Sequence, residues 1–128
     1  MKEKIKEFSE RLLGLPTEIA TLQESLIEFN DELQKVDNEI SERTSEIKTI
    51  INNALDDNGK KLYSNAELRE AAFISDSKND ILLPSLYLDH NDIQKRIQKV
   101  KIGIENLSNY QRNLRTLVAY MTSNADID

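Results

Sequence analysis

Two long stretches of the chain return an apolar side chain every three or four residues. The first runs through Ile5, Phe8, Leu12, Leu15, Ile19, Leu22, Leu26, Phe29, Leu33, Val36, Ile40, Arg43, Ile47, Ile50 and Ala54, and only Arg43 breaks it. Placing Ile19, Leu26, Leu33, Ile40 and Ile47 at position a puts Leu22, Phe29, Val36, Arg43 and Ile50 at position d. That is the seam of a coiled coil, narrower and longer than the stripe of a helix lying on a globular core. The second stretch comprises Leu83, Leu86, His90, Ile93, Ile97, Val100, Ile104, Leu107, Gln111, Leu114, Val118 and Met121. Two stripes of similar length joined by a shorter segment predict an all-α fold, an antiparallel coiled-coil helical hairpin with a short linker helix.

Local signals set the expected boundaries. Gly14 and Pro16 predict a break near residues 13 to 17, because glycine ends helices at little steric cost and proline suits the first turn of a new one. A short helix over 2–13 then precedes a long helix over 17–55, and the preserved heptad phase allows the two to stack in line. Asp56-Asp57-Asn58-Gly59 supplies turn residues, with Gly59 able to take positive φ. Ser64-Asn65-Ala66-Glu67 fits a capping box that opens a linker helix over 65–75, and Ser75 to Asp80 loosens it. Pro84 opens the second long helix over 84–122. The whole, 1–128, reads as a single helical domain.

Composition narrows the chemistry. A chain of 128 residues with 3 Gly, 2 Pro and no Trp favours extended amphipathic helix over turn-rich β architecture. Zero Cys removes disulfides, zinc ribbons and thiol catalysis, and one His leaves no histidine cluster for a metal. The amino-terminal residues mix both signs of charge without the apolar core of a signal peptide, and the longest apolar runs, such as Ile81-Leu82-Leu83, are too short to span a bilayer. A soluble, cytoplasmic protein with no membrane contact is expected. No phosphate-binding, nucleophile-elbow or metalloprotease motif occurs, so neither enzyme activity nor a cofactor is expected. Asp31 with Glu32, or Asp56 with Asp57, could hold Mg²⁺ or act as an acid/base pair, but neighbouring carboxylates on a helix are usually a solvated face.

The charges are unevenly distributed. Between residues 17 and 57 eleven carboxylates stand against three cations, whereas between 90 and 115 six cations stand against two carboxylates. Glu18, Glu32, Glu39 and Glu46 share position g of the first long helix, and Arg96, Lys101 and Arg115 flank the seam of the second. Such charges select orientation and register; each exposed pair contributes at most ~1 kcal/mol. Arg43, His90 and Gln111 are polar seam residues. A His could be a catalytic base or pH switch, yet no nucleophile or ligand set accompanies His90, so a register-fixing role is favoured. Arg43 reads as a register pin or a group snorkelling from the seam edge.

The segment Asp57-Asn58-Gly59-Lys60-Lys61-Leu62-Tyr63-Ser64-Asn65-Ala66-Glu67-Leu68-Arg69-Glu70-Ala71 resembles an element of small phage and prophage coiled-coil proteins, which flank it with two long helices. Leu15-Pro16-Thr17-Glu18-Ile19 and Asn113-Leu114-Arg115-Thr116-Leu117 resemble their helix ends. Such proteins are often encoded near single-strand annealing recombinases or single-stranded DNA-binding proteins. The resemblance therefore implies an accessory role in phage DNA recombination or replication, with one of those proteins as partner. This chain departs from the pattern after Ala71, where Ser75 to Asp80 and Pro84 interrupt a commonly continuous helix.

The leading functional expectation is a non-enzymatic helical interaction protein whose linker tip, through Asn65, Glu67 and Arg69, contacts a protein partner. An alternative is single-stranded DNA binding through Lys95, Arg96, Lys99 and Lys101, helped by Lys60, Lys61 and stacking on Tyr63 or Tyr110. A net charge of −6 opposes it. A further alternative makes Glu32, Glu39 and Glu46 an acidic DNA mimic that blocks a host nuclease or defence protein. Ile27, Ile51, Ile102 and Leu117 lie beside the seams and lead to the expectation of a dimer.

Overall fold

In the computed structural model, which describes residues 2–125, the apolar stripes form helices and no strand is present among the described residues. The fold is all-α, with α1 over Lys2–Asn53, α2 over Ala66–Asn79 and α3 over Leu83–Ala125. No helix among the described residues is long and apolar enough to cross a membrane. The chain divides into two compact units, one formed by Met1–Asn30 with Lys95–Asp128 and the other by Asp31–Gln94.

The first unit is built on the amino-terminal part of α1 and most of α3. The expected break at residues 13 to 17 does not occur: α1 runs straight through Gly14 and Pro16. Proline in a helix interior removes one backbone hydrogen bond and crowds the carbonyl four residues earlier, here that of Leu12, at a cost of about 3 kcal/mol. Continuity is favoured because Leu15 is fully buried while Gly14 and Pro16 face solvent. The helix thus keeps its apolar phase, and water can reach the carbonyl that Pro16 leaves unpaired. Ile97, Leu114 and Met121 of α3 are buried in the same unit. Gly103 allows a close approach, since a Cβ at that position would lie 3.3 Å from Leu22 Cδ1. The Arg11 guanidinium lies 5.5 Å from the centre of the Tyr110 ring and also pairs with Glu18.

The second unit collects the end of α1, all of α2 and the start of α3. Ile47, Ile51 and Leu83 form its buried cluster, with Ile40, Tyr63, Ala72 and Phe73 packed against them. Here the sequence reading requires correction: Ile51, expected beside the seam, is 3% exposed, and Ile50, expected in it, is 61% exposed. A straight helix drifts by about 20° per heptad against a strict seven-residue repeat, so the inward face moves one residue along by the end of α1. Phe73 and Ala72 of α2 pack against the cluster that contains Ile51.

The connection between α1 and α2 is ordered by its own hydrogen bonds. Asp56 N donates to Lys60 O at 2.7 Å, Leu62 N donates to Ala54 O at 2.9 Å, and Leu55 and Lys61 form an isolated antiparallel bridge. The Asp56 carboxylate accepts from the backbone N–H groups of Asn58 and Lys60, and Gly59 takes φ of 77°, as the turn residues predict. The cap of α2 is Asn65 rather than the Ser64–Glu67 box: Asn65 Oδ1 accepts from Leu68 N at 2.9 Å. This geometry is the normal N-cap bond to the third helical residue, and it leaves Glu67 in the first turn, where a carboxylate favours the helix dipole. α2 also extends to Asn79, past the expected end at residue 75, because Ala72 and Phe73 anchor it on the cluster and Lys78 suits its last turn.

Candidate partner-binding surface

Within the second unit the last turns of α1, the α1–α2 connection and the first turns of α2 enclose two adjoining grooves. One, of about 370 Å³, is lined by Lys48, Ile51, Asn52, Arg69, Glu70 and Phe73. The other, of about 380 Å³, is lined by Asn52, Lys61, Tyr63, Ser64 and Arg69. Asn52 and Arg69 belong to both, so the grooves meet at these two side chains.

Helix periodicity explains the arrangement. Lys48, Ile51 and Asn52 stand three and four residues apart on one face of α1, and Arg69 and Phe73 stand four apart on α2. The Lys48 ammonium lies 5.1 Å from the Phe73 ring centre, within range of a cation–π contact. Lys61 Nζ donates to the Asn52 carbonyl at 2.5 Å. That contact satisfies one of the orphan carbonyls at the end of α1 and places a cation at the negative end of its dipole. Arg69 Nη1 donates to the Tyr63 carbonyl at 3.3 Å, which fixes the guanidinium between the grooves. Lys48 and Arg69 thereby border the groove that Ile51 and Phe73 line, and Lys61 lies in the adjoining groove on the far side of Arg69.

The residues expected at the linker tip do not form one surface. Arg69 is half-buried in the grooves, Asn65 is committed to capping α2, and Glu67 is exposed. Two positions along a helix correspond to about 200° of rotation, so Glu67 projects from nearly the opposite side of α2 to Arg69. Lys48 and Phe73 are unremarkable within their own segments, and Ile51, expected beside the seam as part of a dimer edge, lines the first groove instead. The spacing of Arg69 and Phe73, matched against Lys48 and Ile51, was the available signal.

The remaining candidates occupy other places. Lys95, Arg96, Lys99 and Lys101 are all exposed on α3 in the first unit. Helical rotation groups Lys95, Arg96 and Lys99 on one side and sends Lys101 to the other flank of the seam. Glu32, Glu39 and Glu46 are exposed along α1 in the second unit, and Glu46 accepts from Arg43 Nη1 at 2.8 Å. Among the described residues no group of three or more His, Cys, Asp or Glu is placed to hold a metal ion.

The polar seam residues of the second unit have defined contacts. Arg43 Nε donates to Asp80 Oδ1 and Oδ2 at 3.1 and 3.0 Å, and its Nη2 donates to Oδ1 at 2.5 Å. Asp80 Oδ2 also accepts from Leu82 N and Leu83 N, so one carboxylate ends α2, starts α3 and ties both to α1. The Asp80 side chain is 8% exposed. Hydrogen bonding from Arg43 holds the Asp80 carboxyl well below the usual carboxylate range; burial opposes this, and the Leu83 and Leu82 amides reinforce it. The same contact, followed by that with Glu46, raises Arg43 above the ordinary guanidinium value. His90 Nε2 lies 3.0 Å from Asp37 Oδ1, a charged pair only when the imidazole is protonated.

Comparison with known proteins found no matching family, and no curated protein or solved structure matches the chain.

Proposed function

We propose that this chain is a non-enzymatic helical interaction protein that docks a protein partner at the cationic grooves between α1 and α2. The observation that carries this reading is the fixed position of Arg69 at the meeting of two open grooves, flanked by Lys48 and Lys61. A half-buried guanidinium held by its own backbone acceptor is pre-organised, and contacts made by rigid cations and aromatics lose less entropy on association. Following the phage resemblance, the partner is a single-strand annealing recombinase or a single-stranded DNA-binding protein, and the role is accessory to DNA recombination or replication.

In this proposal α1 and α3 pair antiparallel as a coiled-coil hairpin within each unit. In the first unit Arg11 meets Tyr110 and Leu22 meets Gly103, a higher number on α1 against a lower one on α3, and in the second Asp37 of α1 meets His90 of α3. Every seam position of α3 from Leu83 to Met121 is buried or half-buried, which supports the same pairing. Ile27, Ile102 and Leu117 are 61%, 57% and 42% exposed and supply apolar area for a dimer, so light scattering is expected to return twice the mass of one chain.

The test is direct binding of a purified phage recombinase or single-stranded DNA-binding protein to the full chain and to its Arg69→Glu variant. Affinity is expected to fall by tenfold or more, about 1.4 kcal/mol. Equal affinity, with the helix content of the two chains identical, removes these grooves from the interaction. DNA binding is favoured by one observation, the shared exposed side of Lys95, Arg96 and Lys99. That reading requires an oligonucleotide affinity that drops steeply with salt.

A further inference from the structure

We infer that the grooves select a particular chemistry: an extended acidic peptide segment that carries a large apolar side chain. This deepens the proposed docking function and rests on it. Lys48, Lys61 and Arg69 concentrate positive charge at these grooves in a chain whose overall charge is −6. A ligand drawn to that spot is anionic. Each cation is already steered by one protein contact: Lys48 by the Phe73 ring, Lys61 by the Asn52 carbonyl and Arg69 by the Tyr63 carbonyl. An ammonium has three donors and a guanidinium five, so each of these groups retains capacity for a carboxylate.

The floor determines the rest. Ile51 is 3% exposed and Phe73 is half-buried, so the base of the first groove is apolar and rewards an aliphatic or aromatic side chain. Glu70 on the same groove is an acceptor suited to a peptide N–H, a donor that a phosphodiester backbone lacks. The observations therefore favour a peptide over a nucleic acid. Two grooves meeting at Arg69 suit a segment that sets its apolar residue against Phe73 and runs its carboxylates past Arg69 towards Lys61.

The experiment uses the full chain and a fluorescein-labelled peptide of aspartates flanking a pair of phenylalanines. Three comparison probes accompany it: the peptide with asparagines for aspartates, the peptide with alanines for phenylalanines, and a labelled thymidine oligonucleotide. The acidic aromatic peptide is expected to raise fluorescence polarisation on binding, with at least tenfold weaker binding of both altered peptides. Lys48→Glu, an exposed position whose change need not disturb the fold, is expected to weaken it by a similar factor, with circular dichroism confirming unchanged helix content. Equal binding of the neutral or the alanine peptide overturns the inference, as does an oligonucleotide that displaces the peptide, an unaffected Lys48→Glu chain, or no binding. If the recombinase or DNA-binding protein still binds in an Arg69-dependent way while the peptide does not, this inference alone fails. If the peptide binds and neither protein does, the chemistry stands and the partner assignment fails.

Discussion

The Asp80 carboxylate gathers an Arg43 guanidinium and two backbone N–H groups around a nearly buried side chain. A carboxylate whose pKa is depressed in the folded state adds stability that is fully present above its unfolded value, near 4, and is lost as pH falls through the folded value. The folded value is far down the acid range, so the loss begins below about pH 4 and continues to the most acidic accessible conditions. Asp80→Asn is therefore expected to be less stable than the parent at neutral pH, and the gap is expected to narrow steadily below pH 4. Urea melts followed by circular dichroism at a series of pH values measure this; a pH-independent gap would show that the carboxylate's charge is not the source. Gly103 offers a different residue-scale prediction. The atom that a Cβ would meet at 3.3 Å is the end of a flexible leucine, so Leu22 can yield while the helix gains up to about 1 kcal/mol of propensity. Gly103→Ala is expected to raise the melting temperature, whereas Gly103→Val, with more volume against the same leucine, is expected to lower it by an amount corresponding to about 1–3 kcal/mol.

The helices were legible from the seven-residue repeat, but their ends and internal weaknesses were not, and α1 shows why. Gly14 and Pro16 are strong local breakers, yet their effect is limited to a few kilocalories, and the burial of Leu15 within an unbroken apolar phase outweighs it. Pro16→Ala is accordingly expected to stabilise the chain by up to about 3 kcal/mol, read as a shift in the urea midpoint. At the other end of α1 the drift of the inward face predicts an asymmetric pair. Ile51→Ala should cost about 2–5 kcal/mol as a cavity in the buried cluster, while Ile50→Ala at a largely exposed site should lie within about 0.5 kcal/mol of the parent. The Asn65 cap was hidden behind a better-known motif one residue earlier. Asn65→Ala is expected to destabilise α2 by about 1 kcal/mol, and Ser64→Ala to change little.

Across the whole molecule, composition and periodicity were sufficient for the all-α class, because a chain poor in glycine and proline with two long stripes has few other ways to bury them. The candidate surface was less accessible to that reasoning. It is assembled from a lysine near the end of one helix, a lysine and a tyrosine in the connection, and an arginine and a phenylalanine one turn apart on the next helix. A one-dimensional pattern records which side of its own helix each residue occupies, not which side of a neighbouring element will face it. Arg69 was reachable from its position in a polar connection; Lys48 and Phe73 needed the packing of α2 against the cluster that contains Ile51.

Tyr63 has a practical consequence. The chain contains no tryptophan, so its intrinsic ultraviolet emission comes from four tyrosines, of which Tyr63 alone is half-buried and lines the second groove. An occupant settling beside that phenol would alter its emission while Tyr87, Tyr110 and Tyr120 supply a constant background. Subtracting the spectrum of a Tyr63→Phe chain would isolate the signal, giving a label-free optical titration built into the protein at the place where a ligand is expected.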